Sequence, residues 1–148
     1  MFLSVTHLII HREYANPDNE GWQQWSHLGS LPALTHLCFS ENISSFILSH
    51  VLSHCARLHV FVTIWITMWY AHGRQTAEAF SEALTITDSR VVLMVVADYN
   101  ADWEVGTQGG DDFWARADEF VARKQRGEIK TTCYFLDDTD DNDVDHPL

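Results

Sequence analysis

Leu34-Thr35-His36-Leu37-Cys38-Phe39-Ser40-Glu41-Asn42 is the stretch on which the fold turns. Apolar residues stand at its first, fourth and sixth positions and an Asn closes it, as in a short strand running into a turn. Its opening has a forerunner 29 residues earlier, Val5-Thr6-His7-Leu8, and that copy continues as Val5-x-x-Leu8-x-Ile10. Two looser copies follow at spacings of 24 and 33 residues, Leu58-x-x-Phe61-x-Thr63 and Val91-x-x-Met94-x-Val96. Self-similarity at periods of about 20–50 residues marks chains built from repeated supersecondary units. The segments between the copies read as helices, so the unit is strand then helix.

Residues 20–28 place Trp22, Trp25 and Leu28 on one helical stripe. Asn42 is a natural N-cap for a helix over 43–55, whose stripe is Phe46, Ile47, Val51 and Leu52. A third helix over 75–84 carries Ala79, Phe80 and Ala83 on one side. The fourth, 111–126, follows Gly109-Gly110, has acids first, bases last and Gly127 beyond, and buries Phe113, Ala117, Phe120 and Val121. A long strand-to-helix loop fills 97–110.

Residues 34–42 fit the leucine-rich-repeat template at each of its fixed positions, with Phe39 replacing one Leu and Asn42 in the turn. The fold class expected is therefore α/β: a short, degenerate leucine-rich-repeat-like stack of about four βα units. Strands alternating with helices at this spacing pair in parallel, through right-handed crossovers. In that register Leu8, Ile10, Leu37, Phe39, Phe61, Met94 and Val96 face the helices. The other face carries His7, Ile9, His11, His36, Cys38, Ser40, Val60, Val62, Ile64, Leu93, Val95 and Ala97. It becomes so apolar along the stack that something must cover it: the C-terminal segment, a partner, or helices on both faces.

The composition suits one packed domain, with six Trp, eight Phe and 46% hydrophobic residues. The domain expected spans 1–136; the acid run 137–148, with its six Asp, reads as a disordered tail. Nine basic residues against 21 acidic give a net charge of −12, which disfavours nucleic acid and anionic membranes. Arg123, Lys124 and Arg126 form one basic cluster, which a helix C-terminus explains. The longest apolar stretch, 60–71, is too short to span a bilayer as a helix, and no signal peptide is evident. Cys38, Cys55 and Cys133 are odd in number and widely spaced, which favours a reducing, intracellular setting, cytoplasmic or nuclear.

No coherent catalytic set emerges and no cofactor is implied. His50 and His54 stand at i, i+4, a spacing at which two imidazoles can share one ion, with Cys55 adjacent; surface or structural roles compete. His7 and His36, one repeat apart, should stack side by side, as a metal site, a pH-sensitive patch or a repeated surface position. Asp98, Asp102, Glu104, Asp111 and Asp112 crowd a loop at the carboxyl end of a strand, where α/β sheets bind ligands. Of these, Asp98, Asp102, Asp111 and Asp112 are the candidate ligands for Mg²⁺ or Ca²⁺, although capping accounts for Asp111 and Asp112. Gly106-x-x-Gly109-Gly110 lacks the Lys-Ser/Thr of a phosphate loop and reads as a turn. Trp103 and Trp114 are either partner anchors or core residues.

Several blocks in order resemble proteins of mushroom-forming fungi (basidiomycetes), many described as F-box-like with degenerate leucine-rich repeats. These are Leu31-Pro32-Ala33-Leu34-Thr35-His36-Leu37, Leu52-Ser53-His54-Cys55-Ala56-Arg57-Leu58, and Asp102-Trp103-Glu104-x-Gly106-x-x-Gly109-Gly110-Asp111-Asp112-Phe113-Trp114. The resemblance covers residues 3–129 and carries no catalytic residues with it. It implies a repeat region of the kind that recognises substrates for ubiquitin ligation, without the F-box itself. The start on a strand suggests a truncated relative or a fragment. The function expected is a non-catalytic protein-interaction domain whose contact face includes His7, Ile9, His36, Cys38, Val62 and Trp103. The alternative is a small metal-dependent hydrolase or metal-binding protein built on the acidic 98–112 loop or on the histidine pairs.

Overall fold

The computed structural model describes residues 4–10, 26–40, 45–67 and 70–136. Strands β1 (His7–Ile10), β2 (His36–Ser40), β3 (Val60–Ile66) and β4 (Val91–Val96) form one parallel sheet in the order β1-β2-β3-β4. Helices α1 (Ser45–His54) and α2 (Tyr70–Ala83) fill the second and third connections; α3 (Tyr99–Thr107) and α4 (Phe113–Gln125) follow β4. The α/β architecture with a parallel sheet is as the repeats require. Consecutive copies sit side by side, with His7 opposite His36 and Leu37 opposite Phe61.

The fourth copy breaks the template. Phe61 pairs with Val91, not with Met94, a slip of three positions. Because side chains alternate across a strand, an odd slip inverts every assignment on it. Leu93 and Val95 therefore join Leu37, Phe39, Phe61 and Trp65 beneath α1 and α2, while Met94 and Val96 turn to the opposite face.

That opposite face is closed. Phe113, Ala117, Phe120 and Val121 of α4 lie over Cys38, Val60, Val62, Ile64, Val92, Met94 and Val96. Of the three ways the sequence left for covering this face, helices on both sides is the one realised. Two-sided burial explains why β3 and β4 read as continuous apolar runs instead of alternating ones.

Several local expectations are corrected. Residues 26–30, the described end of the first proposed helix, form a 3-10 helix, Ser26–Ser30, that packs Leu28 into the first core layer. The rest of that segment, His11 and Asn42 lie outside the described residues, as does the acidic tail. In α1 the buried stripe is Ile47, Leu48, Val51 and Leu52; Phe46 is 59% exposed. In α2 the inward residues are Gly73, Ala77 and Phe80, whereas Ala79 and Ala83 face solvent. Gly73 allows this close approach, since a Cβ there would stand 2.9 Å from Val95 Cγ1.

The α4 stripe is the one expected, and Gly127 ends it at φ +80°, a conformation natural to glycine. Beyond it the chain returns to the free edge of β4. Leu93 N–H donates to the Tyr134 carbonyl (2.8 Å) and Leu136 N–H to the Leu93 carbonyl (2.9 Å), a parallel bridge. The three earlier connections move the chain across the sheet with their helical turns on one face. This last one moves it the same way with α4 on the other face, so its hand is opposite to theirs.

Candidate functional site

The segment expected as a long acidic loop is mostly helix. Asp98 caps α3, its Oδ1 accepting from Ala101 N–H at 3.0 Å, and Asp112 caps α4 through Ala115 N–H at 2.9 Å. Asp102 ties the two helices together. Its Oδ2 accepts from Phe113 N–H (2.8 Å) and its Oδ1 from Arg116 Nη1 (2.8 Å), while Arg116 also donates to the Asp111 carbonyl (2.9 Å). The side chain of Asp102 is only 9% exposed. A guanidinium thus sits where a cation bound by these acids would have to sit, and two of the carboxylates cap helices. Among the described residues no group of three or more His, Cys, Asp or Glu side chains is placed to hold a metal ion. Of the four candidate ligands, Asp98 and Asp112 cap helices and Asp102 is taken up by Arg116 and the Phe113 N–H.

What the acidic segment does present is an aromatic. No residue of α3 is buried, and Trp103 is 61% exposed. The helix was missed in the sequence because it has no apolar stripe; capping and the Asp102–Arg116 tie hold it. Asp98, Glu104 and Asp111 of the same segment are exposed acids. Trp114 behaves differently, half-buried against Phe113 at 4.5 Å between centroids.

The remaining candidates meet at the amino ends of the strands. His7 and His36 do stack, with centroids 4.0 Å apart and planes within 8°, and Trp114 presents its edge to both at 5.2 and 5.6 Å. His36 Nε2 meets Asp118 Oδ1 of α4 at 2.7 Å, and its Nδ1 meets Thr35 Oγ1 at 2.7 Å; Thr35 donates on to the Thr6 carbonyl. His7 is held below the usual histidine range by burial and by the neighbouring His36, with Asp118 and Asp112 partly opposing.

Cys38 and Val62 are fully buried beneath α4, and Ile9 is half-buried beside the same layer, so they offer no open contact face. Burial pushes the Cys38 thiol far up, and that of Cys55 up as well, so neither is a ready nucleophile. His50 and His54 stack on one turn of α1, with His54 Nδ1 bonded to the His50 carbonyl at 2.8 Å.

Beside the histidine stack, a cavity of about 310 Å³ opens between the starts of β3 and β4 and the second half of α4. His59, Arg90, Asp118 and Gln125 line it together with Val60 and Val121. None of these polar residues was singled out from the sequence. Asp118 lies 82 positions from the histidine it orients, and only the docking of α4 brings the two together.

The basic cluster also dissolves in three dimensions. Lys124 is buried, donating from Nζ to the Val91 carbonyl at 2.8 Å and lying over the rings of Phe120 and Tyr134 at 4.7 and 5.0 Å. Arg126 pairs with Glu119 and Glu128, which leaves no joint basic surface. Among the described residues no helix is long and apolar enough to cross a membrane. No family model, curated protein or solved structure matches this chain.

Proposed function

We propose that this chain is a non-catalytic protein-interaction domain that meets its partner through α3, with Trp103 as the anchor. One observation carries this reading: Trp103 is 61% exposed on a helix that buries none of its own residues. The helix docks through Tyr99 and Asp102 at its first turn, which leaves Trp103 free to serve a contact. Exposed Trp is the side chain most often found at the energetic centre of protein interfaces, because it brings a large rigid apolar area with a single donor. The Asp102 tie to Phe113 and Arg116 fixes the helix in advance, so little ordering entropy is lost on binding.

The neighbouring acids Asp98, Glu104 and Asp111, on a chain of net charge −12, specify a partner that offers Lys or Arg around an apolar pocket. The sheet face expected to serve this purpose is occupied by α4, which moves the contact from the strands to the carboxyl-end helix. A substrate-recognition role of the F-box/leucine-rich-repeat kind accords with this reading and rests on the resemblance alone.

Affinity purification with the native chain, Trp103→Ala and Phe46→Ala tests the proposal. Partners should be lost with Trp103→Ala, retained with Phe46→Ala and released by salt. Identical partner sets for the native chain and Trp103→Ala, with both proteins folded by circular dichroism, would refute it.

A further inference from the structure

The cavity between β3, β4 and α4 lies at the opposite end of the sheet from Trp103 and owes nothing to that contact. We propose that it binds a small zwitterion of the α-amino-acid class, its ammonium on Asp118 and its carboxylate on Arg90 and His59, with an aliphatic side chain against Val60 and Val121.

The argument starts from two opposite charges that face one cavity without neutralising each other. Asp118 uses Oδ1 to bind His36 Nε2 at 2.7 Å, which leaves Oδ2 to accept. Arg90 is locked from behind: Nε and Nη2 grip Asp88 at 2.9 and 2.7 Å, and Nη2 also reaches the Leu52 carbonyl at 2.9 Å. Its Nη1 makes one long bond, 3.4 Å, to the Leu58 carbonyl, and so retains donor capacity. Each charged group is therefore held by a partner of its own, Asp118 by His36 and Arg90 by Asp88, and not by the other. A carboxylate and a guanidinium held apart in this way are preorganised for a ligand carrying both signs.

The other walls agree with that chemistry. The His59 ring is exposed, 6.5 Å from His36 between centroids, and among the described residues neither of its nitrogens is hydrogen-bonded. Gln125 adds an exposed amide that can donate and accept. Val60 and Val121, 1% and 4% exposed, form an apolar base. At about 310 Å³ the cavity is at the small end of ligand sites, of a size for a small molecule such as an amino acid. An anion alone would meet Asp118, and a cation alone would meet Arg90; only a dipolar ligand satisfies both. At ordinary ligand efficiencies a molecule of this size binds with Kd on the order of 0.1–1 mM.

The test is a titration of the ¹⁵N-labelled full chain with L-leucine, L-leucine methyl ester and N-acetyl-L-leucine, followed by amide shifts. The free amino acid should give saturable shifts at Leu58, Val60, Arg90, Asp118 and Gln125. The ester, which lacks the anion, and the acetyl derivative, which lacks the cation, should each bind at least about tenfold more weakly, one decade of Kd. Substituting His59→Ala or Gln125→Ala, both exposed, should weaken the free amino acid several-fold and leave the fold unchanged. Absence of saturable shifts up to about 10 mM, ten times the weakest expected Kd, would overturn the proposal. So would equal binding of all three ligands, or shifts centred on α3.

Discussion

Replacing Lys124 by Met should remove a rise in stability with pH that the native chain shows above neutrality. Lys124 is 4% exposed, and its Nζ has one carbonyl and two aromatic faces for company, with no carboxylate bonded to it. Burial lowers its pKa from 10.5 to about 8, against a partial opposing pull from Cys133 and Asp88. The folded chain thus releases this proton at lower pH than the unfolded chain does. Between those two values the unfolded state binds more protons, so stability rises with pH. At about 1.36 kcal/mol per pKa unit, the gain from pH 7 to pH 9 is on the order of 1 kcal/mol.

Met has a similar length and no titration, so it keeps the packing and cancels the effect. Cys38 and Cys55, raised by burial, act in the opposite direction as the pH climbs, but they are present in both proteins and drop out of the difference. Urea unfolding followed by tryptophan fluorescence at pH 7, 8 and 9 measures that difference. Native stability minus variant stability should grow by about 1 kcal/mol across this range. Parallel profiles would show that the Lys124 ammonium is not desolvated and would refute the reasoning.

Three further outcomes are expected. Thr63 is fully buried in the inner strand β3 and its hydroxyl has no hydrogen-bond partner among the described residues, so Thr63→Val should stabilise by about 1–2 kcal/mol; calorimetry should show a higher Tm, and a lower one would contradict the assignment. Acidification should destabilise the chain through His7, whose pKa lies below its usual 6.5: the unfolded state gains the proton first, and stability falls as the pH drops through and below that value. His7→Phe keeps a ring against His36 and Trp114 and should flatten the acid limb of an unfolding profile; an unchanged limb would exclude His7 as its source. Asp102→Ala should cost about 1–3 kcal/mol by removing the acceptor of the Phe113 N–H and one acceptor of Arg116, with hydrogen exchange rising first in α3; uniform exchange would show that the tie is not what holds that helix.

The order of strands and helices was legible in the chain because each strand copies a pattern and each packed helix carries a stripe. The α4 stripe, Phe113, Ala117, Phe120 and Val121, was read directly, as was the stacking of His7 on His36. Where a helix lacks a stripe, as α3 does, periodicity is silent and only its cap Asp98 hints at it. Helical spacing puts Phe46 on the α1 stripe with Ile47, Val51 and Leu52, but the docked helix turns it outward and buries Leu48 instead.

The sequence by itself determined the α/β class, the parallel pairing and the neighbour relations of the first three strands, since these follow from local periods and short connections. Tertiary structure alone decided the register of β4, because a degenerate template tolerates a three-residue slip that packing does not. It also decided that α4 covers the second face, which buries Cys38 and Val62 and leaves Trp103 as the exposed candidate. The Asp118–His36 contact, the seating of Lys124 and the charged cavity beside them join residues far apart in the chain. No local pattern encodes such a meeting; it exists only once both faces of the sheet have been packed.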